Sequence, residues 1–332
     1  MSSAVSVAGA GCRVVMRAHG RPEVLTLEPA DLPAPGPREV RVRVRAAGVN
    51  FFDTQLRSGL YKRPLPMTPG TEGAGVVERI GAEVTECAPG DRVAWILSPG
   101  SYATHANISI DRIMPLPDAV DEETAAATLY QALTAHYLAR STYELKPGDV
   151  CVVHSAAGGV GGLLCQIAKI AGAVVLGTVS SSAKLHAARR AGADHVSIYT
   201  EEDFSERAHA ITGGRGVDVV YDAVGLETYE RSLKALRRRG VLALYGEASG
   251  IVPPIDVRIL LQAGSVYLTR TGLDSYIVTR QDLMERAAEI FAWMAQGRLA
   301  QVIGHRFPLE QVAAAHHTLE ARSNVGKVLL VP

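Results

Sequence analysis

One stretch, Asp149 to Gly172 (DVCVVHSAAGGVGGLLCQIAKIAG), constrains the fold of this chain more than any other. The apolar run Val150 to His154 predicts a short buried strand. The apolar positions Leu163, Leu164, Ile167, Ala168 and Ala171 predict a helix directly behind it. Between them stand Ser155, Ala156 and Ala157, then Gly158, Gly159, Val160, Gly161 and Gly162. Glycines let the backbone approach a pyrophosphate, and a helix N-terminus offers free N–H groups and the positive end of the peptide dipole. A glycine cluster by itself also suits a tight structural turn. The strand before it and the helix after it select the dinucleotide-binding reading.

The rest of the composition narrows the class. A chain of 332 residues is long enough for two domains with sizeable cores. Its 47% hydrophobic and 20% charged residues are those of an ordinary globular protein. Formal net charge is +0, so no global field favours nucleic acid or an anionic membrane. The four cysteines, Cys12, Cys87, Cys151 and Cys165, form no CxxC pair, which argues against a structural zinc site or a redox dithiol. No apolar run approaches the length of a membrane span. The start, MSSAVSVAGAGCR, lacks a basic segment followed by a sustained apolar core, so no signal peptide is read and a cytoplasmic enzyme is expected.

Before the glycine turn, short strands broken by Gly and Pro are predicted at Val14–Ala18, Leu25–Glu28, Val40–Arg45, Val76–Ile80, Val93–Leu97, Tyr102–Ile110 and Ile113–Leu116. Val40 to Arg45 reads VRVRVR, the alternation of a half-buried strand with its arginines in solvent. This pattern predicts a barrel-like antiparallel domain. Asp121 caps a helix expected over Thr124–Leu138. Beyond Val150, strands at Val174–Thr178, His195–Ile198, Val217–Tyr221, Val241–Tyr245 and Val266–Thr269 alternate with helices, including Ala183–Ala191 and Glu227–Arg238. Such alternation predicts a doubly wound parallel sheet, an α/β Rossmann-type fold. Arg237, Arg238 and Arg239 read as cations at the end of the second of those helices. The chain then reads as a helix from about Asp282 to Gln296 capped by Thr279, a strand near Val302–His305, a helix over Leu309–Ala321 and a last strand at Lys327–Val331. Adjacent His316 and His317 point to different helical faces, which argues against a paired metal site.

The choice of cofactor turns on the end of the second strand. An NAD-binding unit carries an acidic residue there. Here the sequence runs Gly177-Thr178-Val179-Ser180-Ser181-Ser182-Ala183-Lys184, with no Asp or Glu. The missing carboxylate removes a repulsion, and Lys184 is placed to meet a 2′-phosphate, so NADPH is expected. A cation at a helix start opposes the dipole, which makes a ligand-binding role a better account of Lys184 than a solvated residue.

These segments together resemble the NADPH:quinone oxidoreductases, the zinc-free, ζ-crystallin-like branch of the medium-chain dehydrogenase/reductase superfamily. The resemblance is carried by Ala46–Tyr61 (AAGVNFFDTQLRSGLY), Pro69–Val77 (PGTEGAGVV), Ala156–Gly161 (AAGGVG), Ile211–Gly225 (ITGGRGVDVVYDAVG) and Gly326–Pro332 (GKVLLVP). It covers nearly the whole chain from Arg13 onward. It implies a GroES-like catalytic domain at residues 1–132 and 273–332 and a Rossmann domain at 133–272. It implies that Gly158, Gly159, Val160 and Gly161 hold the pyrophosphate, and that Ser180, Lys184, Tyr199 and Arg322 surround the 2′-phosphate and adenosine. Along the ribose and nicotinamide side it implies Asn50, Thr134, Val224, Tyr245, Gly246, Glu247, Ala248, Leu268 and Arg270. Zinc-dependent relatives carry a cysteine near Asn50 and a histidine at Thr71, so no metal is expected, and Glu72 reads as structural. Gln55 stands where the family often has a tyrosine, which removes one aromatic wall of the substrate pocket.

The expected activity is reduction of a quinone by NADPH, with Tyr61 as donor to the substrate oxygen and Asn50 orienting the reaction. Reduction of the C=C bond of an enone is the nearest alternative. A cofactor-binding RNA-binding or regulatory protein is an alternative of a different class, and the net charge of +0 argues against it. The apolar stretch Ser265–Arg270 is expected at a sheet edge, where the family pairs two copies into a homodimer.

Overall fold

The computed structural model describes residues 11–321 and 326–332. From the N-terminus come β1 (Cys12–Met16), β2 (Leu25–Pro29), β3 (Glu39–Val49), α1 (Phe51–Ser58), β4 (Glu72–Ile80), β5 (Arg92–Ile96), β6 (His105–Ser109), β7 (Ile113–Pro115) and α2 (Glu122–Tyr137). The middle holds β8 (Val150–Val153), α3 (Gly159–Ile170), β9 (Val174–Val179), α4 (Leu185–Arg190), β10 (His195–Ile198), α5 (Phe204–Ile211), β11 (Val217–Asp222), α6 (Tyr229–Ala235), β12 (Leu236–Leu244), α7 (Arg258–Gln262) and β13 (Tyr267–Arg270). The chain closes with α8 (Arg280–Ala295), β14 (Ile303–Pro308), α9 (Val312–Glu320) and β15 (Lys327–Val331). Two compact units result. One is built from the described residues of Met1–Tyr130, Thr279–Ala287 and Gln301–Pro332, the other from Gln131–Val278 and Ala288–Ala300.

The first unit contains a sheet in the order β14-β15-β3-β4-β5-β7, with β6 also paired to β3. All its pairings are antiparallel except β14 with β15. Strand β3 shows why the sheet forms. Val40, Val42 and Val44 are buried against Ile108, Trp95 and their neighbours in one core, as period-two alternation requires. The intervening Arg41 and Arg43 reach outward to Asn107 at 3.2 Å and Glu78 at 3.5 Å. Arg43 is exposed as a solvated face requires, whereas Arg41 is half-buried and also donates to Leu32 O at 2.9 Å. The two histidines of α9 diverge as their spacing requires: His316 is buried beside Arg57 at 3.1 Å, and His317 reaches Glu23 at 2.7 Å.

The second unit is a parallel sheet in the order β10-β9-β8-β11-β12-β13. Counted from its own first strand, this is the 3-2-1-4-5-6 order of a dinucleotide-binding fold, whose ligand lies beyond the carboxyl ends of the strands where the order reverses. Here that point lies between β8 and β11. One expectation is corrected. The helix predicted over Glu227–Arg238 stops at Ala235, and Leu236 already pairs with Val217 as strand. Arg237 to Arg239 therefore belong to β12 and do not end a helix. Arg237 is drawn into the sheet by Asp218, whose Oδ1 it reaches at 2.6 Å, and Arg239 takes a left-handed φ of 57°. Tertiary pairing and a buried carboxylate override the local helical pattern.

Candidate functional site

In the second unit, β8 delivers the chain into a turn at His154–Gly158, and α3 starts at Gly159. Gly158 caps this helix without a side chain, and the N–H groups of Gly159, Val160 and Gly161 have no partner among the described residues. Gly161 is the sterically critical residue. A Cβ there would lie 2.2 Å from the carbonyl oxygen of Ser155, which itself holds a positive φ of 54°. The turn thus brings three unpaired donors and a positive helix end to one place, with the Gln131 side chain packed against Gly159. These features fit a dinucleotide pyrophosphate.

The ends of β9 and β10 lie beside each other and carry Ser180, Lys184 and Tyr199. Lys184 Nζ lies 3.3 Å from Ser180 Oγ, the Tyr199 N–H donates to Val179 O at 3.1 Å, and Thr200 Oγ1 donates to Ser180 O at 3.2 Å. The group is half-exposed, hydroxyl-rich and cationic, with no carboxylate on the strand end. It suits a phosphate monoester on a ribose better than a free vicinal diol. Arg322 lies outside the described residues.

Beyond β11, Asp222 organises the loop that carries Val224. Its Oδ1 accepts the N–H groups of Val224 at 2.8 Å and Gly225 at 3.0 Å, and Thr228 and Ser232 donate to the same carboxylate. His154 sits behind it, fully buried, between Thr178 Oγ1 at 2.6 Å and Ser232 Oγ at 2.9 Å. Burial pushes the His154 pKa down, against the pull of Asp222. A Ser–His–Asp grouping of this kind is inaccessible to substrate, so it braces the loop and is no hydrolytic triad. The sequence reading missed it, because its members are spread over β8, β9, β11 and α6.

The loop after β12 and the end of β13 enclose a cavity of about 300 Å³ lined by Leu244, Gly246, Glu247, Val252, Pro253, Ile255, Leu268 and Arg270. Arg270 Nε lies 3.6 Å from Glu247 Oε1 at its polar side. The buried Tyr245 hydroxyl has no hydrogen-bond partner among the described residues. Thr134, on α2, is buried.

In the first unit, a buried polar network replaces what the sequence reading had left as separate residues. Asn50, at the N-terminus of α1, donates from Nδ2 to Glu72 Oε2 at 3.0 Å. Lys327 Nζ donates to Asn50 Oδ1 and to Glu72 Oε2, each at 2.7 Å. Glu72 Oε1 accepts the Tyr130 N–H at 2.7 Å. Gly48 is required beside it, because a Cβ there would lie 2.3 Å from Glu72 Oε2. Asp53 accepts the Asn50 N–H at 2.9 Å, the Thr71 hydroxyl at 3.1 Å and the Tyr102 hydroxyl at 3.2 Å. Burial pushes the Asp53 carboxyl up to about 6, against the pull of those donors and of the Lys327 charge. This donor set does not suit zinc: it offers an amide, a hydroxyl and a carboxylate already neutralised by an ammonium. Among the described residues no group of three or more His, Cys, Asp or Glu could hold a metal ion. Tyr61 follows the C-terminal end of α1. It is 40% exposed, with its ring 5.7 Å from that of Phe52, and no hydrogen bond joins it to Asn50.

A parallel sheet of this order with a bare glycine turn, joined in one chain to a GroES-like β domain, defines the medium-chain dehydrogenase/reductase class. Residues 159–293 match the zinc-binding dehydrogenase family, and residues 36–118 match the alcohol dehydrogenase GroES-like domain. The chain is 44% identical over 327 residues to quinone oxidoreductase 1 of Escherichia coli, covering 96% of this chain and 99% of that protein. It is 38% identical over 327 residues to a 2-haloacrylate reductase of a Burkholderia species, covering 96% of this chain and 98% of that one. The crystal structure of E. coli quinone oxidoreductase complexed with NADPH superposes with a TM-score of 0.93 at 43% identity, over 97% of this chain and 100% of that one. The chain belongs to the quinone oxidoreductase family.

Proposed function

We propose that the protein is an NADPH-dependent quinone reductase. The observation that carries the cofactor choice is the end of β9, which has no carboxylate and carries Ser180 and Lys184 beside Tyr199 at the end of β10. The near full-length identity to a quinone oxidoreductase carries the substrate class.

NADPH, when bound, supplies a hydride to the acceptor. The chain's own part is to bind, orient and exclude water. The free N–H groups of Gly159 to Gly161 hold the pyrophosphate, with Gly158 leaving the helix end open. Ser180, Lys184 and Tyr199 take the 2′-phosphate side, to which Arg322 is also assigned. Val224, held by Asp222, serves the ribose side with Thr134, Tyr245 and Ala248, together with Gly246, Glu247, Leu268 and Arg270, which line the cavity. Asn50 offers a fixed hydrogen-bond donor, and Tyr61 is the candidate proton donor at a substrate oxygen. Residues 1–132 and 273–332 form the catalytic domain in this reading, and 133–272 the cofactor domain.

The test is NADPH oxidation against a panel of quinones and enones, with NADH as control. Quinone turnover with NADPH preferred is the expected result. Turnover confined to enones would move the assignment to the second reading, C=C reduction, which the 38% identity to a 2-haloacrylate reductase favours. Salt-dependent RNA binding with no NADPH oxidation would overturn both.

Assembly and location belong to the same proposal. β13 is an edge strand, and Tyr267 on it is 61% exposed; Val257 and Leu261, which precede it in the chain, are exposed as well. An apolar edge of this kind supports pairing of two copies; a monomeric mass in solution would refute it. Among the described residues no helix is long and apolar enough to cross a membrane. The four free cysteines suit a reducing compartment and support a cytoplasmic location, which fractionation tests.

A further inference from the structure

Lys327 stands at the start of β15 and is 2% exposed. Its ammonium, the Glu72 carboxylate and the Asn50 amide close a ring of three hydrogen bonds drawn from three separate elements. Tyr130 N–H holds the other Glu72 oxygen, so the carboxylate is clamped on both sides. An asparagine amide has two orientations that exchange its oxygen and nitrogen. A cation facing Oδ1 and a carboxylate facing Nδ2 allow only one of them, because an ammonium has no acceptor and a carboxylate no donor. Nδ2 carries two hydrogens. Glu72 takes one, and the described residues provide no acceptor for the second.

We infer that Lys327 is a positioning residue for the reaction: it locks the Asn50 amide so that the second Nδ2–H is the donor offered to the bound ligand. The inference rests on the reading that Asn50 contacts cofactor or substrate. A simple brace between β15 and β4 would need only the Lys327–Glu72 pair. The 2.7 Å bond from Lys327 to Asn50 Oδ1 is what that brace leaves unexplained.

The test is a cycle of variants in the full chain. Asn50→Ala, the paired change Lys327→Met with Glu72→Gln, and the triple variant are compared by kcat and KM on a quinone and by NADPH affinity from fluorescence titration. The paired change removes both buried charges together, so neither is left uncompensated. We expect Asn50→Ala and the paired change each to lower kcat/KM by about 10- to 100-fold, the scale of a misplaced contact group. The triple variant should be no worse than either. Additive losses, or a paired change that leaves turnover intact while Asn50→Ala does not, would overturn the inference. Asn50→Ala with wild-type turnover and NADPH affinity would instead remove the underlying reading of Asn50, and the inference with it.

A second measurement stands independently of how these variants fold. The chain has only three asparagines, Asn50, Asn107 and Asn324, so 15N-asparagine labelling resolves their side-chain amides. In the ligand-free protein, one Asn50 Nδ2 proton should exchange more slowly with solvent than the other. NADPH alone or NADPH with a quinone analogue should then slow the second proton. Equal and fast exchange of both protons, or a second proton indifferent to both ligands, refutes the proposed role.

Discussion

Replacing Gly161 and its neighbour Gly162 by alanine, one at a time, tests the glycine turn most directly. Both positions lie in the first turns of α3. Alanine at either one gains about 1 kcal/mol of helix propensity over glycine. The surroundings differ. A Cβ on Gly162 would meet Ala156 O at 3.6 Å and Ala191 Cβ at 3.8 Å, both ordinary contacts. A Cβ on Gly161 would lie 2.2 Å from Ser155 O, 2.7 Å from Ser155 C and 2.9 Å from His154 O. These are backbone atoms, and Ser155 already holds a left-handed φ, so the turn has little freedom to yield. Relieving the overlap costs about 1–3 kcal/mol. The propensity gain is common to both variants, so their difference in unfolding free energy isolates this contact. Urea unfolding of the ligand-free proteins should place Gly161→Ala below Gly162→Ala by that amount. NADPH titration should show Gly161→Ala weakened about tenfold or more, equivalent to ~1.4 kcal/mol, with Gly162→Ala little changed. Equal stability and equal affinity of the two variants would refute the argument that close backbone approach, and not helix propensity, demands glycine at 161.

Three other outcomes are expected. Lys184→Ala should lower NADPH affinity about 10- to 100-fold and leave NADH affinity unchanged, since one charge-assisted hydrogen bond contributes about 1.5–3 kcal/mol; parallel titrations with the two nucleotides check this. Asp53 should make the fold less stable as pH rises from about 4 to 6, because its carboxyl stays protonated in the fold up to about 6 while the unfolded chain ionises near 3.8. That difference amounts to about 3 kcal/mol, so stability-versus-pH curves for wild type and Asp53→Asn should diverge over this window, and a divergence of opposite sign would contradict the burial argument. Tyr245→Phe removes a buried hydroxyl that lacks a partner, so urea unfolding should show stability unchanged or raised by about 1 kcal/mol; a loss of that size would reveal a partner for the hydroxyl.

Much of the architecture was legible from local pattern. The VRVRVR alternation placed β3, and the structure extends it to Glu39–Val49 because the small residues Ala46, Ala47 and Gly48 continue the pairing with β4 and β15. The strand, glycine turn and helix around Gly158 fell where the apolar periods put them. The helical reading of Glu227–Arg238 failed at its end, since helix propensity and charge placement are local, and the pairing of Leu236 with Val217 is not.

By itself the sequence determined the order of elements, the bare glycine turn and the acid-free end of β9 with Lys184. Each of these is a property of neighbouring residues, written in periodicity and spacing. Tertiary structure alone decided the company kept by Asn50. Its partners Glu72 and Lys327 lie 22 and 277 positions away in the chain. Likewise the carboxylate of Asp222 comes within 3.7 Å of His154 only because β11 lies beside β8. Hydrogen bonds of that range depend on which strands become neighbours, and no local pattern encodes them. Glu72 illustrates the difference: in sequence it is a carboxylate without evident work, and in the fold it is clamped by an ammonium, an amide and a backbone N–H.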